Sequence, residues 1–551
     1  MHESSGKNEP TALIGNSARP FLVPRGASTG GRLTRTALLL AALSGVLQVL
    51  IFPLPGFTFL CWIALAPLLV ALFRARRSAG LVVPAGPGQG FLLAYIAGVI
   101  WSFGTCYWIY HVMHIYGGLD APLSLAILVL FCFALGVVFG LFGLILALLA
   151  RSRFGLKALF LAPFIWVPLE LIRGFPFDFT WDPLGTVLVG NIPLTRIATA
   201  TGVYGLSCEI VLVNTAFAAA FLVPRNRRLR VLATSILVAA LLQAGTLIHP
   251  PPLPADGTAR LIQANIPILD SSGWTAQYFD STLRELTALS VSTPGQLNPA
   301  EPPPDLVIWP ETPAPFFVTD PRFRQAVSDV ARRAHASVVV GSLGLVNPTS
   351  PHTQLYNSAA LLAPNGDWTA RYDKIHLVPF GEYVPFQQLL TFANKLTREV
   401  GDFMPGQSRQ PLTDEGKRLG VFICYESIFP DEIRQFAAHG AQVFVNISND
   451  GWFGDTAAPV QHLNQARMRA IENHRWLLRD TNTGITVSID PYGRIVARAP
   501  RHTRTYLDAP YTTESDTTFY ARHGNWFPAT CAIISLIALV VGLSLRARTI
   551  G

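Results

Sequence analysis

Long apolar runs occupy residues 34–249 and 526–545, and a stretch of ordinary polarity separates them. A helix of about 18 to 25 apolar residues crosses the hydrocarbon core of a bilayer. The runs predict membrane helices over 34–52, 56–73, 90–112, 122–149, 158–176, 195–223, 231–249 and 526–545. Residues 1–33 are polar and broken by Pro and Gly. They are too long, and too far from the first apolar run, for the n-region of a cleavable signal, so a retained cytoplasmic segment is expected. The predicted organisation is therefore 1–33, a seven-helix membrane region 34–249, an α/β domain 250–525, and an eighth helix with its tail, 526–551. The domain opens at a Pro-rich linker, His249-Pro250-Pro251-Pro252-Leu253-Pro254.

Inside 250–525 the pattern changes to short β-rich runs bounded by Pro, Gly, Asn or Asp. Strands are expected at Ala259–Asn265, Leu306–Trp309, Ser337–Ser342, Asn357–Ala363, Leu419–Cys424, Ala441–Ile447 and Ile485–Asp490. Helices are expected at Phe279–Leu289, Arg322–His335, Asp431–Ala438 and Val460–Arg479, with a hairpin turn at Pro491-Tyr492-Gly493 leading into Arg494–Ala497. Strands interleaved with helices predict an α/β layered fold.

Composition agrees with a lipid-embedded share of the chain. Of 551 residues 50% are hydrophobic and 14% are charged, against about 25% charged in soluble domains. The net charge of +8 records topology. Of 17 Lys and Arg before residue 250, fifteen fall in the N-terminal segment and in alternate loops: Arg74, Arg76 and Arg77; Arg151, Arg153 and Lys157; Arg225, Arg227, Arg228 and Arg230. Only Arg173 and Arg196 fall on the other side, and Arg546 and Arg548 follow the last run. The positive-inside rule then puts both termini in the cytoplasm and 250–525 outside. The positives are scattered over short loops, which argues against a nucleic-acid partner. Glu170 and Glu209 are too few to form an ion pathway, which argues against a transporter, and are expected to bond inside the bundle.

Five of the six cysteines lie in apolar runs, and Cys424 alone lies in the outer domain. A lone thiol in an oxidising compartment is either inert and buried or reactive. Two carboxylate-bearing segments accompany it. Leu306-Val307-Ile308-Trp309-Pro310-Glu311 puts an acid just past a strand, and Tyr372-Asp373-Lys374 through Glu382 holds a Lys and another acid. A thiol, a carboxylate that takes its proton and an ammonium that stabilises an oxyanion suffice for acyl transfer through a thioester. No H-E-x-x-H zinc spacing is present, and neither a metal nor a cofactor is expected.

The three segments, in the order Glu311, Lys374, Cys424, resemble the nitrilase superfamily. The runs Val378-Pro379-Phe380-Gly381-Glu382-Tyr383-Val384-Pro385, Asn446-Ile447-Ser448-Asn449-Asp450-Gly451-Trp452-Phe453 and Asn482-Thr483-Gly484, with seven apolar runs before and one after, resemble its apolipoprotein N-acyltransferase branch. The resemblance covers about 34–545. It implies a four-layer αββα sandwich beside the helical membrane bundle. It also implies transfer of an acyl chain from a membrane phospholipid, through a Cys424 thioester, to the α-amino group of diacylglyceryl-cysteine in an apolipoprotein. Glu311 would be the base, Lys374 the oxyanion stabiliser and Cys424 the nucleophile. Glu382, Tyr425, Glu426, Trp274 and Asn357 match supporting or substrate-binding positions. Trp452, Phe453 and Phe380 are equally placed to line an acyl entry or to pack a core. His376 and His462 match no base. Thr391 and Ala458 depart from the pattern, which has Arg and Gly there. The implied setting is the bacterial inner membrane, with a monomeric enzyme whose catalytic domain is periplasmic. A membrane-tethered amidase or hydrolase with the same triad is the alternative.

Overall fold

The computed structural model describes residues 32–78, 81–175, 178–268, 273–292, 303–347, 353–383 and 403–547. The N-terminal segment 1–31 and the departure at Thr391 lie outside the described residues.

Among the described residues six helices are long and apolar enough to cross a membrane: Pro87–Cys106, Ala121–Ala150, Gly155–Ile172, Val203–Leu222, Arg225–Leu247 and Trp526–Ser544. Arg35–Leu50 and Thr58–Phe73 are shorter apolar helices at the first two expected positions. The expected run 195–223 is shortened at its start. Its first residues form isolated turns, and Gly202 at φ 66° breaks the chain before Val203. A left-handed residue costs Gly nothing sterically, so it is the natural break. Small residues let the helices close on one another: a Cβ on Gly90 or Gly143 would strike the facing backbone. Glu170 bonds inside the bundle as expected, accepting from Trp166 Nε1 (3.2 Å) and Leu184 N (2.7 Å).

Strands β1 (Arg76–Ser78) and β2 (Leu81–Val83) form a hairpin between two of these helices. The remaining strands build two six-stranded mixed sheets. The first holds β3 (Gly257–Gln263), β4 (Leu306–Ile308), β5 (Ser337–Val346), β6 (Gln354–Leu362), β7 (Trp368–Asp373) and β14 (Thr505–Tyr511), in the order β14-β3-β4-β5-β6-β7. The second holds β8 (Leu412–Asp414), β9 (Lys417–Ile423), β10 (Val443–Ser448), β11 (Leu477–Thr481), β12 (Val487–Ile489) and β13 (Ile495–Arg498), in the order β13-β12-β11-β10-β9-β8. In each sheet three adjacent strands run parallel, β3-β4-β5 and β9-β10-β11, and antiparallel strands complete it.

Alternation sorts the side chains of the first sheet. Leu261, Ile308 and Val339 join Val421, Ile423 and Val445 in the cluster between the sheets. Ile262, Trp309 and Val338 face the helices Ala276–Val291 and Pro321–Ala334. Period two is what assigns neighbours to opposite faces.

Several sequence expectations shift. The helix expected over Val460–Arg479 is Ala458–Asn473. His474 ends it at φ 53°, and Leu477–Arg479 enter β11 instead, where they are wholly buried. Cys424 lies just past β9 rather than within it. Strands β1, β2, β7, β8, β11 and β14 were not anticipated.

The α/β part packs directly on the apolar helices. Gln461 Nε2 donates to Thr105 O (3.1 Å), Thr180 Oγ1 to Ile428 O (2.9 Å), and Val203 N to Glu472 Oε1 (2.8 Å). The two arginines outside the basic loops also sit at this junction. Arg173 lies over Trp101 and donates to Trp181 O, and Arg196 lies over Tyr492.

Candidate active site

The C-terminal ends of β4, β7, β9 and β10 converge on one edge of the paired sheets. Strand ends hold reactive groups rigidly while leaving them at an opening. Glu311 follows β4, Lys374 follows β7, Cys424 follows β9 and Asn449 follows β10. Asn357 lies near the start of β6, opposite Leu343, and so reaches the same edge. Gly341 of β5 permits the close passage of the Pro310–Glu311 backbone, which any Cβ there would strike.

Lys374 is the hub. Its Nζ donates to Glu311 Oε1 (3.2 Å) and Glu382 Oε1 (3.0 Å), and the side chain is 1% exposed. Asn357 Nδ2 bridges the same two oxygens at 2.8 and 2.7 Å. The outer oxygens are held by backbone: Asn449 N donates to Glu311 Oε2 (2.8 Å), and Val378 N to Glu382 Oε2 (2.8 Å). Two carboxylates thus share one ammonium. Burial alone would lower the Lys374 pKa, but the charges of Glu311 and Glu382 outweigh it and hold the amine firmly protonated.

Cys424 opens a short helical turn at φ 50°. A side-chain-bearing residue in the left-handed region stores about 1–3 kcal/mol, and such strain collects at functional sites. The thiol is buried. Burial, then the negative charge of Glu311, push its pKa above the ordinary value, and Lys374 opposes them. The resting sulfur is therefore a thiol, close enough to Glu311 and Lys374 for both charges to act on it.

Glu426 fastens the nucleophile turn to the lysine loop. It accepts from Ile423 N (2.6 Å), Ile375 N (2.7 Å), His376 N (3.2 Å) and Tyr372 Oη (2.7 Å). Burial raises its pKa, and these donors oppose the rise. Tyr425 turns away from the Glu–Lys pair. Its hydroxyl donates to Asp178 O (2.7 Å), and its ring packs in a cluster with Trp108, Phe179, Trp181 and Phe429. Trp274 stays outside the network: it packs beside Tyr278 and against the cluster around Phe279 and Phe316. Phe453 is packed between Trp108 and Trp181, whereas Trp452 is 36% exposed beside Tyr116.

Sequence reasoning gave no role to a buried trio behind Cys424. His462 Nε2 lies 3.0 Å from Cys424 O, its Nδ1 lies 2.9 Å from Asp450 Oδ1, and Arg479 pairs with Asp450 at 2.9 Å. Burial and the Arg479 charge lower the His462 pKa, and its two ring nitrogens face the strained residue's carbonyl and the Asp450 carboxylate. The only sequence signal was the string of polar residues in a region that otherwise reads as core. His376 pairs with Glu432 (3.1 Å), away from the thiol.

Known proteins place this arrangement. The family described as carbon-nitrogen hydrolase matches residues 258–515, and the apolipoprotein N-acyltransferase N-terminal domain matches residues 44–216. Apolipoprotein N-acyltransferase of Geobacter metallireducens is 37% identical over 93% of this chain and 96% of that protein. The enzyme of the same name from Methylococcus capsulatus is 32% identical over 93% and 96%. Among solved structures, an amidase from Nesterenkonia sp. is similar at 21% identity and a TM-score of 0.35, covering 47% of this chain and 92% of that one. The identity and coverage along both the helical and the α/β parts show that the chain belongs to the apolipoprotein N-acyltransferase family.

Proposed function

We propose that this chain moves an acyl chain from a membrane phospholipid to the N-terminal amine of a diacylglyceryl-cysteine apolipoprotein by a ping-pong reaction on Cys424. The observation that carries the reading is the buried Glu311–Lys374–Glu382 group beside a protonated thiol on a strained turn. Glu311 takes the thiol proton as sulfur attacks the ester carbonyl. Lys374 carries too firm a proton to act as base and instead faces the oxyanion. Collapse of the intermediate breaks the ester C–O bond, and the lysophospholipid leaves with the proton from Glu311. The acceptor amine then attacks the thioester, Glu311 takes its proton, and the Cys424 sulfur leaves and is reprotonated.

In this reading Asn357 and Glu382 position Glu311 and Lys374, and Glu426 positions Cys424. Tyr425, docked on the segment between two apolar helices, directs the pocket toward lipid. The aromatic cluster around Trp108 and Trp181 keeps water from the thioester, which separates transfer from hydrolysis. All eight apolar helices span the bacterial inner membrane, the α/β part is a periplasmic αββα sandwich, and one chain is the working unit. The segments 1–33, 34–249, 250–525 and 526–551 are its cytoplasmic arm, bundle, catalytic domain and final helix with tail.

Purified enzyme, phospholipid and a diacylated lipopeptide are expected to give a triacylated peptide, and Cys424→Ala to give none. Free fatty acid without peptide product would overturn the reading in favour of a hydrolase.

A further inference from the structure

One buried hydroxyl beside Cys424 has no part in the reaction proposed above. Ser448 ends β10 and is wholly buried. Strands β9 and β10 run parallel, with Ile423 paired to Ile447. One residue further along, Ser448 stands beside Cys424. Its main chain is fixed: it pairs with Thr481 of β11, and its carbonyl accepts from Asn482 N (3.0 Å). The freedom left to the residue is rotation of its hydroxyl.

That hydroxyl sits between two groups. Ser448 Oγ donates to Asp450 Oδ1 (2.8 Å). It also bonds to the Cys424 thiol. Burial, Glu311 and Asp450 raise the pKa of that thiol, and Lys374 and the Ser448 hydrogen bond lower it. The charges facing the sulfur thus come from Glu311 after β4, Lys374 after β7 and Asp450 after β10. His462 closes the ring on the far side, 2.9 Å from Asp450 Oδ1 and 3.0 Å from Cys424 O.

Asp450 is the fixed end of this ring. Burial works against its charge, but the Arg479 charge outweighs burial and holds the carboxyl well below the usual carboxylate range. It therefore takes no proton from the thiol or from Ser448 and serves as an acceptor alone. Arg479 Nη2 lies 2.9 Å from Oδ2 and 3.2 Å from Oδ1. The carboxylate stays paired even when the serine proton turns away. A hydroxyl has one proton and two lone pairs. While the sulfur is protonated, the serine proton points to Asp450 and a lone pair faces the thiol. When the sulfur is anionic, it becomes a second charged acceptor, and a buried anion without a donor is costly.

We propose that Ser448 is a further catalytic residue: its hydroxyl turns from the Asp450 carboxylate to the Cys424 sulfur as that sulfur attacks the acyl donor, and again as it leaves the thioester. No proton leaves Ser448. The thiol proton passes to Glu311, the hydroxyl changes only its direction, and it returns to Asp450 once the thioester or the thiol has formed. Lys374 is then left to the oxyanion, and the sulfur has a donor of its own. The inference rests on the thioester reading above.

The test compares the full-length parent with Ser448→Ala and Ser448→Thr in detergent, each checked by a thermal melt. Iodoacetamide labelling of Cys424, read by peptide mass spectrometry, reports the thiolate without any acyl transfer. At about pH 8, Ser448→Ala is expected to label about tenfold more slowly, the order of one hydrogen bond to a charged group. Single-turnover acylation at saturating phospholipid is expected to slow by the same factor, with the half-saturating concentration unchanged. Ser448→Thr keeps the hydroxyl and is expected to recover most of both rates. Labelling within about twofold of the parent in folded Ser448→Ala would overturn the proposal. An equal loss in folded Ser448→Thr would assign the effect to packing and overturn it as well. Slowed labelling of a Cys424 that takes up no acyl group even in the parent would fault the thioester reading and not the bond from Ser448 to sulfur.

Discussion

Replacing Glu382 by Gln tests why two carboxylates share one lysine. Glu311 and Glu382 contact the same Lys374 Nζ at 3.2 and 3.0 Å, so the two oxygens are at most about 6 Å apart. At an effective dielectric of about 20, two like charges at that distance repel by about 3 kcal/mol. Moving the thiol proton onto Glu311 relieves this repulsion, so the Glu382 charge drives the transfer forward. Gln keeps the shape and removes the drive. If half of the 3 kcal/mol is felt in the transition state, acylation slows about tenfold; if all of it is, about a hundredfold. Gln also turns an amide toward either Val378 N–H or the Lys374 and Asn357 donors, which costs about 1–3 kcal/mol of stability. The assay is a single-turnover time course of acyl-enzyme mass, run beside a thermal melt. An acylation rate within about twofold of the parent, in folded Glu382→Gln protein, would refute the electrostatic role.

Two further expectations follow from local geometry. Cys424→Gly is expected to melt about 2 °C above Cys424→Ala, because Gly accepts φ 50° while Ala keeps about 1 kcal/mol of left-handed strain; equal melting temperatures in detergent would show that the turn is unstrained. His376 stacks on Phe429 with ring centroids 4.3 Å apart and lies 3.1 Å from Glu432. Burial pulls its pKa down, but the hydrogen bond and charge of Glu432 outweigh this and hold it above the ordinary value. Its stabilising effect is then complete below about pH 6.5 and is lost as pH rises through the folded-state value. His376→Gln is expected to flatten the decline in melting temperature above about pH 6.5, and an unchanged profile would contradict the pairing.

Much of the architecture was legible because its signals are strong and local. Apolar runs announce helices, and the helix after Gly202 started later than expected only because the apolar character of Ile197 and Ala198 conceals the break at the glycine. The central strands β3, β5, β9 and β10 read clearly from their buried β-branched residues. Strand β7 did not, since Trp-Thr-Ala-Arg-Tyr-Asp is polar at a sheet edge, and this hid the element that carries Lys374. Strand β11 was partly absorbed into a helix because Arg475 and Arg479 look like a solvated face; the fold buries both, each with its own partners. Cys424, Glu311 and Lys374 were visible as residue types in matching segments. Asn357's bridging of two acids, Glu426's four donors and the carbonyl anchor at His462 depend on contacts between distant strands, which no single-chain pattern encodes.

The central claim is that the acyl group passes through sulfur at residue 424. Enzyme incubated with phospholipid, digested and sequenced by tandem mass spectrometry is predicted to carry one acyl mass on Cys424. That mass should vanish on adding the diacylated lipopeptide as the triacylated product appears. An adduct on any other residue, or product formed at the parental rate by Cys424→Ala, would contradict the account.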